Sequence, residues 1–337
     1  LKFFYKNTSI KNKLLLLFYI QIVIPLFFIS YTSYQKSAEI IEQKSIGYSQ
    51  DILKMIELRF NDLSSSMQAL TLELLYDNRV YGALSNDEVE DNITIYNRAS
   101  EIRNILRQTT LSRGEIQSIC LVTKNRRFYS FDSDNGKARI EIMLPYESAV
   151  KAAKEGRGQL VWFLEKVDGK VSNIYVTRMV YDRDKYTEIG LIAVNIKKEY
   201  LESVYTDLSR ESAKHISILS EDNEEIVEET ENSAFLGDFV EKQIQGKRGF
   251  DIDKKAGMLV SYVQLRDPNW KIVYHMPLKV LYKEIDTLRR WTVVILVYGF
   301  IILSALSVFT SVDIINPINK LVEGMKKVEK GNKHERS

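Results

Sequence analysis

Residues 159–196, QLVWFLEKVDGKVSNIYVTRMVYDRDKYTEIGLIAVNI, are the stretch from which the type of fold can be predicted. Three apolar runs are separated by the polar segments DGK (168–170) and DRDKYT (182–187). Short runs rich in β-branched and aromatic residues, bounded by such polar segments, are typical of strands joined by turns. The stretch therefore predicts three consecutive antiparallel strands.

The elements around these strands follow an order that occurs twice. Residues 116–132 predict a hairpin, 146–153 a short helix and 197–209 a further helix. A second, smaller copy has a hairpin, a helix and three strands, over 214–229, 235–244, 249–253, 257–265 and 269–276. Two copies of this order predict an α+β fold with two stacked PAS-like modules.

A long helix precedes both modules. Apolar residues recur every three or four positions and predict a helix over 37–76; they are Leu53, Ile56, Phe60, Leu63, Met67, Leu70 and Leu74. Such a stripe either pairs with its copy in a dimer or packs along a domain, and both alternatives give the same pattern. We expect the chain to form a homodimer mainly through this stripe.

Two stretches of 22 residues, 14–35 and 291–312, contain no charged residue and are long enough to cross a bilayer. At 1.5 Å per residue each would cover roughly 30 Å. For the first stretch we favour an uncleaved anchor over a cleaved signal peptide, because no small-x-small cleavage site follows it. The sequence therefore predicts two transmembrane helices in the lipid bilayer of the cell membrane.

The charges next to these stretches predict the orientation. Residues 1–13 carry four lysines and no acidic residue, which indicates a cytoplasmic N-terminus. Two spans then return the C-terminus to the cytoplasm. Arg289 and Arg290 lie at the outer end of the second span, against the positive-inside rule. Since the first helix usually sets orientation, we expect both termini inside.

Composition excludes several classes of function. A net charge of +2 and the lack of a basic stripe indicate no nucleic-acid partner. Cys120 is the only cysteine, so the chain can form neither an internal disulfide nor a cysteine-based zinc site. His215 and His275 each lie in or beside a predicted strand and have no partner at metal-ligand spacing. We expect no metal and no cofactor.

The order of a long helix and two such modules between two spans resembles the double Cache sensor of bacterial signalling receptors. The resemblance implies the following boundaries: a cytoplasmic N-terminus (1–13), transmembrane helix 1 (14–35), an extracellular sensor (36–290), transmembrane helix 2 (291–312) and a cytoplasmic segment (313–337). Within the sensor it implies the long helix, a distal module (89–209) and a proximal module (210–276).

The cytoplasmic segment resembles the start of a HAMP linker. Residues 317–332, PINKLVEGMKKVEKGN, match the first HAMP helix, and its pattern falls on Pro317, Leu321, Met325, Val328 and Gly331. The resemblance implies that these residues relay a signal. Ile318, Leu321, Met325 and Val328, at spacings of three, four and three, also suit a short coiled-coil seam, which ends at Gly331.

Across the chain the sequence is similar to the YesM-like group of sensor histidine kinases, notably over 176–182, 188–205 and 257–285. The similarity implies the sensory and transmembrane part of a two-component kinase, with a cytoplasmic kinase module and a response regulator as partners. The alternatives are the sensor half of a chemoreceptor or cyclic-dinucleotide enzyme, and a membrane-tethered binding protein. Residues 1–337 contain no ATP lid, Walker loop or NPHFLYN-like helix, so we expect no catalytic residues and no enzyme activity in them.

The distal module usually holds the ligand in double Cache sensors, between the sheet and the elements that cover it. The aromatic candidates here are Tyr129, Phe131 and Trp162, and the polar candidates are Arg178, Tyr181 and Asn195. A guanidinium in an apolar strand needs an anionic or hydrogen-bonding partner. For Arg178 this is either the ligand or a carboxylate in the core.

Amino-acid-binding members of this family carry a Trp-Tyr pair before the short helix and an aspartate in the last strand. This sequence has Pro145-Tyr146 and Asn195 instead. Without that aspartate an ammonium group would lack its counter-charge, so an α-amino-acid ligand is not expected. The predicted partner is an extracellular small molecule, and a sugar-like molecule that stacks on Trp162 is one candidate.

Overall fold

The structure, a computed structural model, describes residues 10–85, 91–134, 144–206, 215–226 and 246–310, together with 317, 320–322 and 324–325. The chain forms two compact units. One comprises residues 46–277, and the other comprises residues 1–45 and 278–337. Each unit is described separately below.

The longest element is helix α1, Ile10–Tyr76, which has 67 residues. It begins well before the predicted residue 37 and ends at the predicted residue 76. Two shorter helices follow, α2 (Asn78–Ser85) and α3 (Asn92–Leu111). Asp91 caps α3, because its carboxylate accepts a hydrogen bond from the Thr94 amide.

A five-stranded antiparallel sheet comes next. Its strands are β1 (Ile116–Thr123), β2 (Phe128–Asp132), β3 (Val161–Val167), β4 (Lys170–Tyr181) and β5 (Glu188–Ile196). They lie in the order β2-β1-β5-β4-β3, with helix α4 (Tyr146–Glu155) between β2 and β3 in the chain. Helix α5 (Lys198–Thr206) follows β5. The hairpin, the short helix, the three consecutive strands and the final helix agree with the sequence prediction.

The second sheet has four antiparallel strands in the order β6-β9-β8-β7. They are β6 (Ile216–Leu219), β7 (Arg248–Asp253), β8 (Met258–Gln264) and β9 (Lys271–Pro277). The predicted hairpin is present as β6 and a bridge between Leu219 and Glu225. The helix predicted over 235–244 lies outside the described residues. We call the five-stranded sheet the distal sheet and the four-stranded sheet the proximal sheet.

The main apolar core combines α1 with one face of each sheet. All seven stripe residues from Leu53 to Leu74 are at most 3% exposed, and they belong to one cluster with Val176, Ile192 and Ile272. A fully buried side chain of this kind stabilises the fold by about 1.5–3 kcal/mol. The predicted dimer through this stripe is therefore wrong, because the stripe is used inside the chain's own fold.

The other unit contains the beginning of α1 and the C-terminal helices α6 (Leu278–Leu281) and α7 (Lys283–Thr310). Among the described residues, one helix is long and apolar enough to cross a membrane. This candidate covers Arg289–Leu306, has a mean hydropathy of 1.6, and is not buried against the rest of the protein. Pro317, Leu321 and Met325 have helical backbone and exposed side chains, whereas Val328 and Gly331 lie outside the described residues.

Candidate functional site

The six residues predicted for a ligand site do not share one face of the distal sheet. Opposite residues in antiparallel strands project to the same face, so the strand register assigns each side chain. Tyr129 lies in register with Leu121, Ile192 and Arg178. Phe131 lies in the next row on that face, with Ile119, Val194, Val176 and Trp162. Four of the six predicted residues therefore face the core formed with α1.

Asn195 and Tyr181 lie on the opposite face. Asn195 is opposite Tyr175 on β4, and Tyr181 is six residues further along that strand. At about 3.3 Å per residue, the separation along β4 is roughly 20 Å. Tyr181 packs instead with the apolar cluster around Ala149 and Ala153 of α4. The six residues consequently cannot form one pocket.

Trp162 has a structural contact that accounts for its position. Its ring meets that of Trp270 edge to face, with the centroids 5.3 Å apart. Trp270 also meets Phe60 of α1, at a centroid distance of 6.1 Å. Trp162 is therefore part of the packing that joins the distal sheet to the proximal module. Its Nε1 has no hydrogen-bond partner among the described residues, and a ligand that stacks on Trp162 stays a prediction.

Arg178 is buried and has one neutral hydrogen-bond partner in the described part of the chain. Its side chain is 5% exposed, and Nη1 donates a hydrogen bond of 3.2 Å to the Gly158 carbonyl oxygen. Its Nε and Nη2 atoms have no partner among the described residues. Burial lowers the pKa of this guanidinium, because a charged group is costly in an apolar environment. The core carboxylate considered from the sequence is not found in the described part of the chain.

Around Asn195 the other face carries a line of polar side chains. Asp132, Ser118, Asn195 and Tyr175 lie in register on the adjacent strands β2, β1, β5 and β4, and each is at most 7% exposed. We call these four residues the polar row. Phe163 of β3 extends it, and its ring stacks on Tyr175 with a centroid distance of 6.1 Å.

Hydrogen bonds leave one acceptor of this row unused. Asn195 Nδ2 donates to Asn173 Oδ1 at 3.3 Å, and Asn173 Nδ2 donates to Glu165 Oε2 at 2.6 Å. Asn195 Oδ1 is buried and has no partner among the described residues. A buried acceptor without a partner costs about 1–3 kcal/mol, so it favours a ligand that donates a hydrogen bond.

The electrostatics of the row also favour hydrogen-bond donors. Burial raises the pKa of the Tyr175 hydroxyl, and the negative charge of Glu165 adds to the effect. Tyr175 consequently remains a neutral hydroxyl that can donate or accept a hydrogen bond. The row combines this group with a Ser hydroxyl, an amide oxygen and the Asp132 carboxylate. The sequence analysis missed Ser118, Asp132 and Tyr175, because their common row depends on the strand register.

A separate polar cleft of about 530 Å³ lies between α2 and α3. Its two arginines are Arg79 and Arg98. Arg79 forms ion pairs with Asp77 at 2.7 Å and with Glu101 at 3.8 Å, so its charge is already compensated. Its lining has no aromatic wall. The cleft is therefore a weaker candidate for a ligand site than the polar row.

No protein-family model matches the chain. It is 21% identical over 332 residues to the sensor histidine kinase YesM of Bacillus subtilis, which covers 96% of the chain and 56% of YesM. It is 22% identical over 343 residues to a protein named as a methyl-accepting chemotaxis protein of Bacillus thuringiensis, which covers 97% of the chain and 48% of that protein. The chain thus spans about half the length of the curated relatives it matches.

Solved structures share the fold. The extracellular domain of vpHK1S-Z8, described as a histidine kinase, has a TM-score of 0.56 at 12% identity; the match covers 72% of this chain and 98% of that one. The sensory domain of the Campylobacter jejuni chemoreceptor Tlp3 has a TM-score of 0.52 at 13% identity, with 73% and 98% covered. The protein therefore contains a region with the fold of Cache-type sensory domains.

Proposed function

We propose that the chain is the ligand-sensing and membrane part of a two-component sensor histidine kinase. The observation that carries the proposal is the polar row, where Asn195 Oδ1 is a buried acceptor with no partner among the described residues. We infer that this row provides a hydrogen-bonding floor for a small molecule on the distal sheet. The apolar cluster under α4 closes one end of the same face.

The ligand that suits this floor is a small polar molecule with several hydrogen-bond donors. Ser118, Tyr175 and Asn195 would bind hydroxyl groups, as in a sugar-like ligand. Asp132 also provides a carboxylate two strands away from Asn195. This carboxylate could replace the counter-charge that Asn195 lacks, so a ligand with an ammonium group also fits the row.

Binding would be relayed across the membrane by the second span. In this proposal residues 14–35 and 291–312 cross the bilayer, both termini are cytoplasmic, and 313–337 begin a HAMP linker. The domain boundaries given above are part of the proposal. Pro317, Leu321 and Met325, with Val328 and Gly331, would then pass the change to a kinase module and its response regulator. These residues have no catalytic role of their own.

A second candidate function is the sensor half of a chemoreceptor. The similarity to the Bacillus thuringiensis chemotaxis protein supports it as strongly as the similarity to YesM supports the kinase, since the identities are 22% and 21%. Both candidates share the ligand site and differ only in the output that the C-terminal helix controls. The sensor half of a cyclic-dinucleotide enzyme would share the ligand site as well and would differ in its output.

The experiment is a hybrid receptor. Residues 1–337 are joined to the kinase part of Bacillus subtilis YesM, and sugars, polyols and amines are screened for a change in autophosphorylation. We expect at least one compound to change the rate, and Asn195→Leu to remove the response without changing basal phosphorylation. Arg178→Met, on the opposite face, is the matched control and should keep the response. Binding without any effect on phosphorylation would favour a membrane-tethered binding protein.

A further inference from the structure

A cleft of about 460 Å³ separates α1 from α7 in the unit formed by residues 1–45 and 278–337. Its walls come from residues between Phe27 and Ser37 of α1 and between Arg289 and Leu296 of α7. This volume is within the range of small-molecule sites in proteins. The cleft is not part of the proposed sensory site, and its arginine is one of the two that conflict with the positive-inside rule.

The two helices beside the cleft run in opposite directions. The Tyr282 hydroxyl donates a hydrogen bond to the Glu42 carboxylate. The cleft begins at Arg289, seven residues after Tyr282, and at Ser37, five residues before Glu42. Seven residues of helix correspond to about 10 Å along the axis. The cleft consequently lies at the level where the uncharged stretches 14–35 and 291–312 begin to be flanked by polar residues.

The lining is amphipathic along the direction of the helices. Phe27, Val293 and Leu296 form an apolar part, whereas Ser33, Gln35 and Arg289 form a polar part. Arg289 is the single charged residue among those that line the cleft. Tyrosine and tryptophan are enriched where membrane helices meet the headgroup layer. Tyr31, Tyr34 and the adjacent Trp291 provide such residues at this level.

We propose that this cleft binds one anionic phospholipid of the outer leaflet. The phosphate would lie at Arg289, and an acyl chain would pack against Phe27, Val293 and Leu296. A guanidinium and nearby hydroxyl or amide groups are typical phosphate ligands. The inference rests on the two-span topology of the proposed function. Binding of an anionic lipid would explain why Arg289 lies at the outer end of α7, although the positive-inside rule disfavours a basic residue there.

The neighbouring arginine provides a matched control. Arg289 is 63% exposed and its Nη2 lies 3.6 Å from the Asp286 carboxylate, a distance that leaves it able to bind a second anion. Arg290 does not line the cleft, and its Nε donates a hydrogen bond of 3.5 Å to the Asp286 carbonyl oxygen. The two side chains carry the same charge one residue apart, so they separate a specific site from general attraction to an anionic surface.

The experiment uses the full chain in nanodiscs that contain equal amounts of phosphatidylglycerol and phosphatidylcholine. Bound lipid is counted by native mass spectrometry after release into detergent. We expect the parent and Arg290→Gln to retain one phosphatidylglycerol each. Arg289→Gln should bind it about fivefold more weakly, the factor that corresponds to about 1 kcal/mol for one basic residue at an anionic surface. Leu296→Trp should fill the apolar part and reduce retention with Arg289 intact.

Each of the following results would overturn the inference. Equal losses in Arg289→Gln and Arg290→Gln would indicate general surface attraction, and equal retention of phosphatidylcholine would exclude recognition of an anionic lipid. Release of the lipid by soluble glycerol phosphate at modest concentration would indicate a phosphate site without an acyl chain. A chain that does not insert into the bilayer would contradict the two-span topology as well. An inserted chain without selective retention would contradict the lipid site alone.

Discussion

Trp162 of β3 and Trp270 of the β8–β9 connection meet edge to face, with an interplanar angle of 65° and ring centroids 5.3 Å apart. The contact joins the distal sheet to the proximal module, and Phe60 of α1 extends it. The Lys166 ammonium group lies 2.5 Å from the Glu224 carboxylate and supports the same junction. These contacts form a direct physical connection between the proposed ligand-binding module and the module that precedes α6 and α7.

The first prediction concerns this junction. Trp270 is 4% exposed, so Trp270→Ala should lower the free energy of unfolding of residues 46–277 by about 3–5 kcal/mol. A double-mutant cycle with Trp162→Ala should give a coupling of about 1 kcal/mol, as for other aromatic pairs. Urea denaturation followed by circular dichroism measures both quantities. Strictly additive losses would show that the two rings do not act as a pair.

A second prediction concerns Arg178. Its buried guanidinium has one carbonyl partner, and no carboxylate partner is found in the described ranges. Arg178→Met keeps the length of the side chain and removes the uncompensated charge, so the free energy of unfolding should stay the same or increase by up to about 2 kcal/mol. The same urea experiment tests this. A loss greater than about 1 kcal/mol would show that an anionic partner stabilises the arginine.

The sequence was sufficient to predict elements and insufficient to predict faces. Periods of two and of three to four residues predicted β1 to β9 and the end of α1 correctly, because burial of one side of an element imposes that period on its sequence. The face of a strand residue also depends on the register with its neighbours. The register between β4 and β5, which pairs Arg178 with Ile192 and Tyr175 with Asn195, assigns Arg178 and Asn195 to opposite faces. No local signal revealed that Arg178 and Asn195 face opposite sides.

The stripe from Leu53 to Leu74 shows that the sequence pattern of a helix also does not reveal which surface the helix packs against. A seam between two copies and a helix that packs on its own sheets bury the same residues with the same period. The decision depends on whether the sheets present a complementary apolar face. Here they do, through residues such as Val176 and Ile272 that belong to the same cluster as the stripe.

A third prediction follows for a homodimer. On α1, Met55 and Leu58 are 48% and 54% exposed, whereas Leu53 and Ile56 are 1% and 0% exposed. If two copies associate through α1, a cysteine at Met55 should cross-link in a Cys120→Ser background, and a cysteine at Ile56 should not. Non-reducing electrophoresis after mild oxidation measures the linked fraction. Efficient cross-linking at Ile56 would contradict the burial of the stripe.

A fourth prediction concerns pH. His275 is 1% exposed, and its ring centroid is 6.1 Å from that of His215. Burial, with a contribution from His215, lowers the pKa of His275 from 6.5 to about 4. The unfolded chain then binds more protons between these two values, so stability is complete above pH 6.5 and decreases as the pH falls towards 4. The loss from this group should be about 2 kcal/mol between pH 7 and pH 5.

The control for that experiment is the variant His275→Phe, which lacks the titrating group and preserves the apolar volume. The difference in unfolding free energy between parent and variant should change in favour of the variant as the pH falls, because the carboxylates titrate equally in both. A constant difference from pH 7 to pH 5 would mean that His275 is accessible to protons in the folded protein.

The central claim is that ligand binds on the polar row and not on the face that packs against α1. Tyr175→Phe and Tyr129→Phe test it as a pair, because each removes one buried hydroxyl from the distal sheet, on opposite faces. Tyr129 OH has no partner among the described residues, so its loss should not destabilise the fold.

The measurement is isothermal titration calorimetry of the ligand found with the hybrid receptor. The account predicts that Tyr175→Phe weakens binding about tenfold, which corresponds to about 1.4 kcal/mol for one lost hydrogen bond, whereas Tyr129→Phe binds as the parent does. Weakened binding in Tyr129→Phe together with unchanged binding in Tyr175→Phe would contradict it, and would locate the ligand on the face of the sheet that packs against α1.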